Sequence, residues 1–314
     1  MIRIFAAVAA ILWLVSGVGA MCADVAGAYA WESLADRMRS EGCWDGLAAT
    51  SLAALPNPSP EPMGRKVKEL YFSKFVRPFL KGPKKKLPPL YPNVVLPESA
   101  ARCREYIAAN KAAFDETERR FGVPPDIVSS LLYVETRLGT ALGTRLVLYT
   151  LASMAVTRQA DQLGTWLNGL DIGDDRRPWL SEVLKKRSDW AYKELKTFLD
   201  YCRANNIDPL TVPGSFYGAL GICQFMPSSI AGYAADGNGD GVIDLFDPDD
   251  AVASVGRYLS LNGWTPNGGR KEWHAALKRY NHEDRYANTI LALADLVRGD
   301  APRKKAAVSK PRKR

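Results

Sequence analysis

Apolar residues recur every three or four positions through most of the chain after residue 98. This spacing places them on one face of an α-helix. Strict alternation of apolar and polar residues, the pattern of a half-buried strand, is almost absent, and no internal repeat is found. The sequence therefore predicts a mainly α fold.

Turn and cap residues divide the pattern into separate helices. Residues 99–122 form one predicted helix that ends at Gly122, and residues 123–139 form the next, with two prolines at its head where proline is tolerated. Proline-rich breaks are predicted at 56–64 and 81–97. The remaining predicted helical stretches are 24–56, 66–80, 145–157, 177–206, 249–264 and a pair within 273–297.

Glu135 interrupts the apolar face of the helix at 123–139. It lies four residues after Leu131 and eight after Ile127, so all three share one face. Charged side chains are seldom buried without a partner. The structural interpretation is an ion pair with a distant arginine. The functional one is a general acid whose pKa is raised by apolar surroundings.

The first twenty residues differ from the rest. Arg3 is their only charge, an apolar run follows, and Val18-Gly19-Ala20 fits a signal-peptidase site. We predict a signal peptide at 1–20 and a protein of the periplasm or cell envelope. A retained anchor and lipid attachment at Cys22 are the alternatives, although Met21 is bulky for the position before a lipidated cysteine. No later apolar run is long enough to span a membrane.

The net charge of +8 comes entirely from the two ends of the chain. Without Arg3 and the seven basic residues of 303–314, the body at 21–302 has no net charge. We predict a disordered basic tail at 299–314 that can bind an anionic envelope surface. A solvated tail with no fixed partner is the alternative. Nucleic acid is not an expected partner of an exported protein, and we expect a monomer. Five scattered cysteines lack metal-binding spacing and leave disulfide pairing open.

Residues 236–247, DGNGDGVIDLFD, have the spacing of an EF-hand calcium loop. Asp236, Asn238 and Asp240 stand at positions one, three and five, a glycine follows at six, and Val242 offers its carbonyl at seven. Position twelve is Asp247 rather than the usual glutamate. Since there is only one such loop, we predict a structural Ca²⁺ rather than a signalling site. A metal-free Asp/Gly turn is the alternative.

Residues 214–229, GSFYGALGICQFMPSS, combine glycines, aromatics and small polar side chains. This composition favours a tight turn and a helix start beside a pocket. The chain has only two histidines, His274 and His282, neither near Ser215 in the sequence. A Ser-His-Asp hydrolase is therefore disfavoured, and no glycine pattern for nucleotide binding is present.

Together with residues 122–140, 236–264 and 276–294, this stretch strongly resembles the membrane-bound lytic murein transglycosylase B family. The resemblance covers roughly residues 30–298. It implies a lysozyme-like helical core at 98–298 with a helical insertion at about 157–212, preceded by a helical segment and Pro-rich linker at 21–97. It also implies cleavage of the glycan strands of peptidoglycan.

The resemblance implies roles for individual residues. Glu135 corresponds to the single catalytic glutamate of the family. The implied substrate-binding residues are Ser215, Gln224, Met226, Tyr280, Asn281 and Tyr286. For the metal, the family points to Asp236, Asn238, Asp240 and Val242, closed by Asp250, whereas twelve-residue spacing points to Asp247; we favour Asp250. Leu138 and Cys223 depart from the family pattern.

A single acid predicts a particular reaction. Ordinary glycosidases need two carboxylates, and no second one is placed in the sequence to serve. One glutamate suffices if a substrate hydroxyl attacks, as in a lytic transglycosylase that forms 1,6-anhydro-MurNAc ends. The alternatives are a hydrolytic muramidase of the same fold and a non-catalytic peptidoglycan-binding protein.

Overall fold

The computed structural model of the protein describes residues 31–80 and 88–299. These residues are predominantly helical, which confirms the mainly α prediction. The twelve α-helices of the described parts are α1 Glu32–Ser40, α2 Gly46–Ala53, α3 Glu61–Tyr71, α4 Pro97–Ala109, α5 Lys111–Phe121, α6 Pro125–Thr136, α7 Val147–Val156, α8 Arg177–Ala204, α9 Pro227–Tyr233, α10 Pro248–Leu261, α11 Arg270–Tyr280 and α12 Asp284–Arg298. Two short strands, β1 Arg145–Leu146 and β2 Pro213–Gly214, pair antiparallel.

The described chain folds into two compact units. The first unit contains residues 31–80, 143–220 and 226–231, and the second contains residues 88–142, 221–225 and 232–299. In the first unit, α7 packs along the long helix α8, and α1, α2 and α3 pack against this pair. Apolar side chains from these helices, such as Met63, Leu151 and Phe198, are fully buried between them.

The second unit is built around α6. This helix packs against α4, α5, α10 and α12, and its residues Ile127, Val128, Leu131 and Leu132 are fully buried. Ser129, Ser130 and Tyr133, on the other sides of the helix, are buried as well, so its neighbours enclose it. The backbone that presents Glu135 is therefore among the most enclosed in the unit.

Several predicted boundaries differ from the structure. The helix predicted at 99–122 is interrupted at Asn110, which separates α4 from α5. The proline-rich break predicted at 56–64 is partly wrong, because α3 begins at Glu61. A proline in the first turn of a helix is tolerated, since the N–H that it lacks would have no hydrogen-bond partner within the helix. The helix predicted at 66–80 changes to π-helix at Phe72–Val76 and to 3₁₀-helix at Arg77–Phe79.

Other predictions concern residues that the structure does not describe. The predicted signal peptide, Cys22 and nearly all of the basic tail lie outside the described residues. Within these limits, Cys43, Cys103, Cys202 and Cys223 are free thiols. No helix in the described ranges is both long enough and apolar enough to span a bilayer.

Candidate active site

Glu135 lies in the last turn of α6, one residue before the helix ends. Its side chain is only partly exposed. The preceding turns are buried in the second unit, so the helix position rather than a flexible loop determines where the carboxyl group points. A group on a rigid element is positioned more accurately than one on a loop.

The backbone at the end of α6 is strained, and hydrogen bonds of Thr136 hold it in place. Arg137 and Leu138 both adopt left-handed backbone conformations, with φ of 54° and 61°. Non-glycine residues rarely do so, and such strain persists only where the surroundings impose it. Here the fully buried Thr136 donates from Oγ1 to the Ile222 carbonyl at 2.7 Å and accepts from the Gly139 N–H at 3.0 Å.

Tyr286, in α12, donates a hydrogen bond from its hydroxyl to Glu135 Oε1 at 2.5 Å. Burial raises the pKa of Glu135 from 4.5 to about 7, and the Tyr286 hydrogen bond opposes that rise. Burial disfavours the carboxylate, whereas a donor to the carboxylate favours it. Neither influence comes from a second carboxyl group, so Glu135 titrates as a single acid near neutral pH.

The raised pKa predicts that Glu135 destabilises the folded protein at neutral pH. Between pH 4.5 and about 7, the unfolded chain releases a proton that the folded protein retains, so the free energy of unfolding falls as pH rises. We expect Glu135→Gln to remove this fall and to exceed wild type by up to about 3 kcal/mol above pH 7. Denaturant unfolding of both proteins from pH 4 to 8 measures the difference; parallel curves would contradict it.

Aromatic rings extend from Glu135 through the second unit. The rings of Tyr286 and Tyr280 are nearly parallel, with centroids 6.1 Å apart. Tyr280 also contacts Tyr258 edge-on at 4.7 Å, and Phe225 lies 5.8 Å from both. Tyr280 and Tyr286 were predicted from the sequence. Tyr258 was not, because in sequence it resembles any other half-buried residue of α10.

Residues 221–225 connect to this cluster through the backbone. The Tyr280 hydroxyl donates to the carbonyl of Cys223. Gln224 has a left-handed φ of 52°, and its Nε2 donates to the Gly221 carbonyl at 3.0 Å and to the Leu142 carbonyl at 3.4 Å.

Asn281 is exposed at the C-terminal end of α11, directly after Tyr280. The structure thus places Gln224, Tyr280 and Tyr286 in the same unit as Glu135.

The two remaining predicted substrate residues lie in the first unit. Ser215 Oγ accepts hydrogen bonds from the N–H groups of Ala219, at 3.0 Å, and Tyr217, at 3.4 Å, so it fixes its own turn. Met226 is half-buried at the start of α9. Glu194 of α8, which the sequence analysis missed, accepts from the backbone and hydroxyl of Ser228 at 2.9 and 2.8 Å and so ties down this helix start.

The predicted calcium loop is curled by its own side chains. Both carboxylate oxygens of Asp236 accept loop N–H groups, from Gly239 at 2.6 Å and Gly241 at 2.9 Å. Asn238 and Asp240 each accept from the N–H two residues later. Oxygen atoms at alternating positions are the donors that calcium prefers, so the chemistry of the loop fits this ion.

Asp250 and Asp247 have different roles in the structure. Asp250 is 1% exposed and accepts the Gly237 N–H at 2.7 Å and the Asp244 N–H at 2.6 Å, which joins both ends of the loop. Asp247 instead caps α10 by accepting the Asp249 N–H at 2.7 Å. However, the described residues contain no group of three or more His, Cys, Asp or Glu side chains arranged to hold a metal ion.

Two hydrogen bonds connect this loop to the end of α6. The Ile222 N–H donates to the Leu245 carbonyl at 2.8 Å, and the Ile222 carbonyl accepts from Thr136 Oγ1 at 2.7 Å. Thr136 is the neighbour of Glu135 in the chain. A single residue, Ile222, therefore bridges the loop and the helix turn that presents the carboxyl group.

Two sequence comparisons find relatives of this chain. Residues 81–274 match the family described as the transglycosylase SLT domain. The membrane-bound lytic murein transglycosylase B of Escherichia coli K12 is 40% identical over 144 residues, which are 46% of this chain. The match spans 33%, about a third, of the length of that relative.

Solved structures resemble the chain over most of its length. The soluble lytic transglycosylase SltB1 of Pseudomonas aeruginosa has a TM-score of 0.64 at 20% identity, covering 86% of this chain and 99% of that one. The E. coli lytic transglycosylase Slt35, solved in complex with calcium, has a TM-score of 0.62 at 22% identity, covering 86% and 92%. The P. aeruginosa SltB3 complex with NAG-anhNAM-pentapeptide has a TM-score of 0.61 at 19% identity, covering 86% and 80%. These likenesses confirm the predicted lysozyme-like fold.

Proposed function

Because this chain belongs to the transglycosylase SLT domain family, we propose that it is a lytic transglycosylase that cleaves the β-1,4 bond between MurNAc and GlcNAc in peptidoglycan. The observation that carries the proposal is the partly buried Glu135 carboxyl group with a pKa of about 7. A general acid must retain its proton at the working pH, and it acts best when its pKa lies near that pH.

In the proposed reaction, Glu135 serves first as acid and then as base. Its proton passes to the glycosidic oxygen as the bond to MurNAc C1 breaks and GlcNAc leaves. The resulting carboxylate takes the proton of the MurNAc C6 hydroxyl, whose oxygen bonds to C1. The product is a 1,6-anhydro-MurNAc end, no water is consumed, and Glu135 is protonated again.

The surrounding side chains have proposed roles in this reaction. Tyr286 steadies the carboxylate formed after the first step, because its hydroxyl already donates to Glu135 Oε1. We propose that Tyr280, Gln224 and Asn281 line a glycan-binding surface of the second unit. Preorganised donors of this kind stabilise charge that develops in the transition state. The substrate-binding roles of Ser215 and Met226, which belong to the first unit, rest on the family resemblance alone.

A hydrolytic muramidase would use water in place of the C6 hydroxyl, and a binding protein would cleave nothing. Mass spectrometry of murein digested by the wild-type protein separates these three functions. The anhydro product is one water lighter than the hydrolysis product, and a binding protein leaves the glycan intact. Hydrolysis products alone would overturn the transglycosylase proposal.

We also propose a structural Ca²⁺ in the loop at 236–250, held by side-chain oxygens of Asp236, Asn238 and Asp240, the Val242 carbonyl and Asp250. The donor chemistry and the curl of the loop support this proposal. It is also supported by the E. coli Slt35 structure, which has a similar fold and was solved in complex with calcium. The ion would fix the loop and would take no part in proton transfer.

The proposed location is the periplasm or cell envelope. It is supported by the apolar start of the sequence and by the relative in E. coli, which is named as membrane-bound. Peptidoglycan glycan strands are the proposed partner there, with the basic tail at 299–314 as a tether to anionic surfaces.

Tyr286→Phe tests the position of the acid. Losing the hydroxyl that favours the carboxylate raises the pKa of Glu135 above about 7. The protonated form then persists to higher pH, so we expect the alkaline fall in kcat/KM to move to higher pH. Tyr280→Phe is the matched control, because its hydroxyl donates to Cys223 rather than to Glu135, and its alkaline limb should stay in place. Equal alkaline limbs in Tyr286→Phe and wild type would contradict the assignment.

A further inference from the structure

Exposed large apolar side chains are concentrated at the end of the helical run after α3. Phe72, Phe79 and Leu80 are 49%, 76% and 61% exposed. The other such side chains in the described ranges are Leu96, Val242 and Leu261, which are well separated in the sequence. Single exposed apolar residues are ordinary, whereas a cluster marks an interaction surface.

The backbone beneath these side chains is anchored to the first unit. Phe75, between them in sequence, packs edge-on against Trp179 at 5.0 Å and against Tyr71 at 5.3 Å. Arg176 lies over the Phe75 ring at 5.0 Å and donates to the Tyr71 hydroxyl at 2.8 Å. Phe75 thus faces the protein, whereas Phe72 and Phe79 on either side of it in sequence are exposed to solvent.

The two charged side chains within residues 72–80, Lys74 and Arg77, are both basic and exposed. The pKa of Glu182 of α8 is lowered mainly by Lys186, with which it forms an ion pair at 2.6 Å, and also by Lys74. The sequence contains no acid from residue 70 to residue 97. The residues directly after Leu80 lie outside the described structure and add four lysines by sequence alone.

We propose that residues 72–80, here called the aromatic-basic patch, dock the protein onto the surface of an anionic lipid bilayer. Phe72, Phe79 and Leu80 enter the boundary between headgroups and acyl chains, and Lys74 and Arg77 bind the headgroup phosphates. An anionic wall polymer would satisfy the charges but offers no hydrocarbon to the apolar side chains, which is why a bilayer fits better. The proposal does not depend on the cleavage reaction.

Vesicle co-sedimentation tests the patch directly. The probes are vesicles of phosphatidylcholine alone and vesicles with one third phosphatidylglycerol. The protein is the chain from residue 21, without the predicted signal peptide. We expect the double variant Phe79→Ser, Leu80→Ser to reduce partitioning onto anionic vesicles about tenfold or more, because two apolar side chains lose their burial. In the protein that lacks residues 300–314, the double variant Lys74→Glu, Arg77→Glu should reduce the preference for anionic over neutral vesicles.

Matched controls distinguish vesicle binding by the aromatic-basic patch from binding by any exposed apolar side chain and from binding by the basic tail. Leu261→Ser alters a side chain that is 62% exposed in the second unit, and it should bind vesicles like wild type. Deletion of residues 300–314 tests the tail, and the deleted protein should still lose partitioning when Phe79 and Leu80 are replaced. Far-UV circular dichroism and turnover of soluble glycan fragments should match wild type in every variant. Unchanged partitioning of the Phe79/Leu80 variant, or an equal loss in Leu261→Ser, overturns the proposal.

Discussion

Glu135→Gln should lower the rate of glycan cleavage by at least about 10³-fold, since a sole general acid and base contributes on that order. Glutamine has nearly the same shape and can still accept the Tyr286 hydrogen bond, but it has no proton to donate to the leaving oxygen. The fold should remain intact because the substitution removes a partly buried acid and no packing atoms. The measurement is release of anhydro-muropeptides from murein, by mass spectrometry.

The control for this variant is Glu118→Gln, which changes an exposed glutamate on α5 of the same unit. Its activity should equal that of wild type. If Glu135→Gln retained near-normal turnover, Glu135 would not be the acid and the one-carboxylate reaction would fail with it. If the variant cleaved slowly and released only hydrolysis products, water rather than the C6 hydroxyl would be the attacking group.

Asp250→Asn should lower the free energy of unfolding by about 2–4 kcal/mol, because a buried carboxylate that accepts two backbone N–H groups is lost. Asparagine can accept one of the bonds from Gly237 and Asp244. Its amide nitrogen must then face the other N–H, donor against donor. Denaturant unfolding in the presence and absence of Ca²⁺ measures both the intrinsic loss and the contribution of the ion.

Calcium should stabilise the wild-type protein, and chelation should lower its melting temperature more than it alters catalysis. In Asp250→Asn the stabilisation by Ca²⁺ should largely disappear. Asp249→Asn is the matched control, since it alters an adjacent carboxylate in the first turn of α10 and should respond to calcium like wild type. A wild-type protein whose melting temperature is unaffected by Ca²⁺ or EDTA would argue against the metal, while leaving the role of Asp250 in the loop intact.

The helical class was predictable because the apolar period is regular in α6, α8, α10 and α12. The interruption at Asn110 was not, because the apolar face continues through α4 and α5 and only the backbone changes. The change to π-helix after Tyr71 was not predictable either, because the residue pattern continues while only the backbone hydrogen bonding changes. Local periodicity reports which face is buried, but not where tertiary packing breaks the helix.

In the candidate site, Glu135 was identifiable because it breaks an apolar pattern. The value of its pKa was not predictable, since burial raises that pKa and the burial depends on the helices that pack against α6 in the fold. Tyr258 and Thr136 gave no signal, because their contacts join segments far apart in the sequence. The spacing of Asp236, Asn238 and Asp240 was informative. The different contacts of Asp247, which caps a helix, and Asp250, which joins the loop ends, are visible only in the three-dimensional loop.

The bridge at Ile222 has a thermodynamic consequence for the calcium loop and the end of α6. Its N–H and carbonyl bind the two elements at once, so order in one is transmitted to the other. Coupling between two binding sites is reciprocal: whatever factor a bound cation adds to the affinity for glycan, bound glycan adds to the affinity for the cation. If the cation strengthens glycan binding, the glycan-bound protein should therefore keep the cation at lower calcium concentrations than the free protein does.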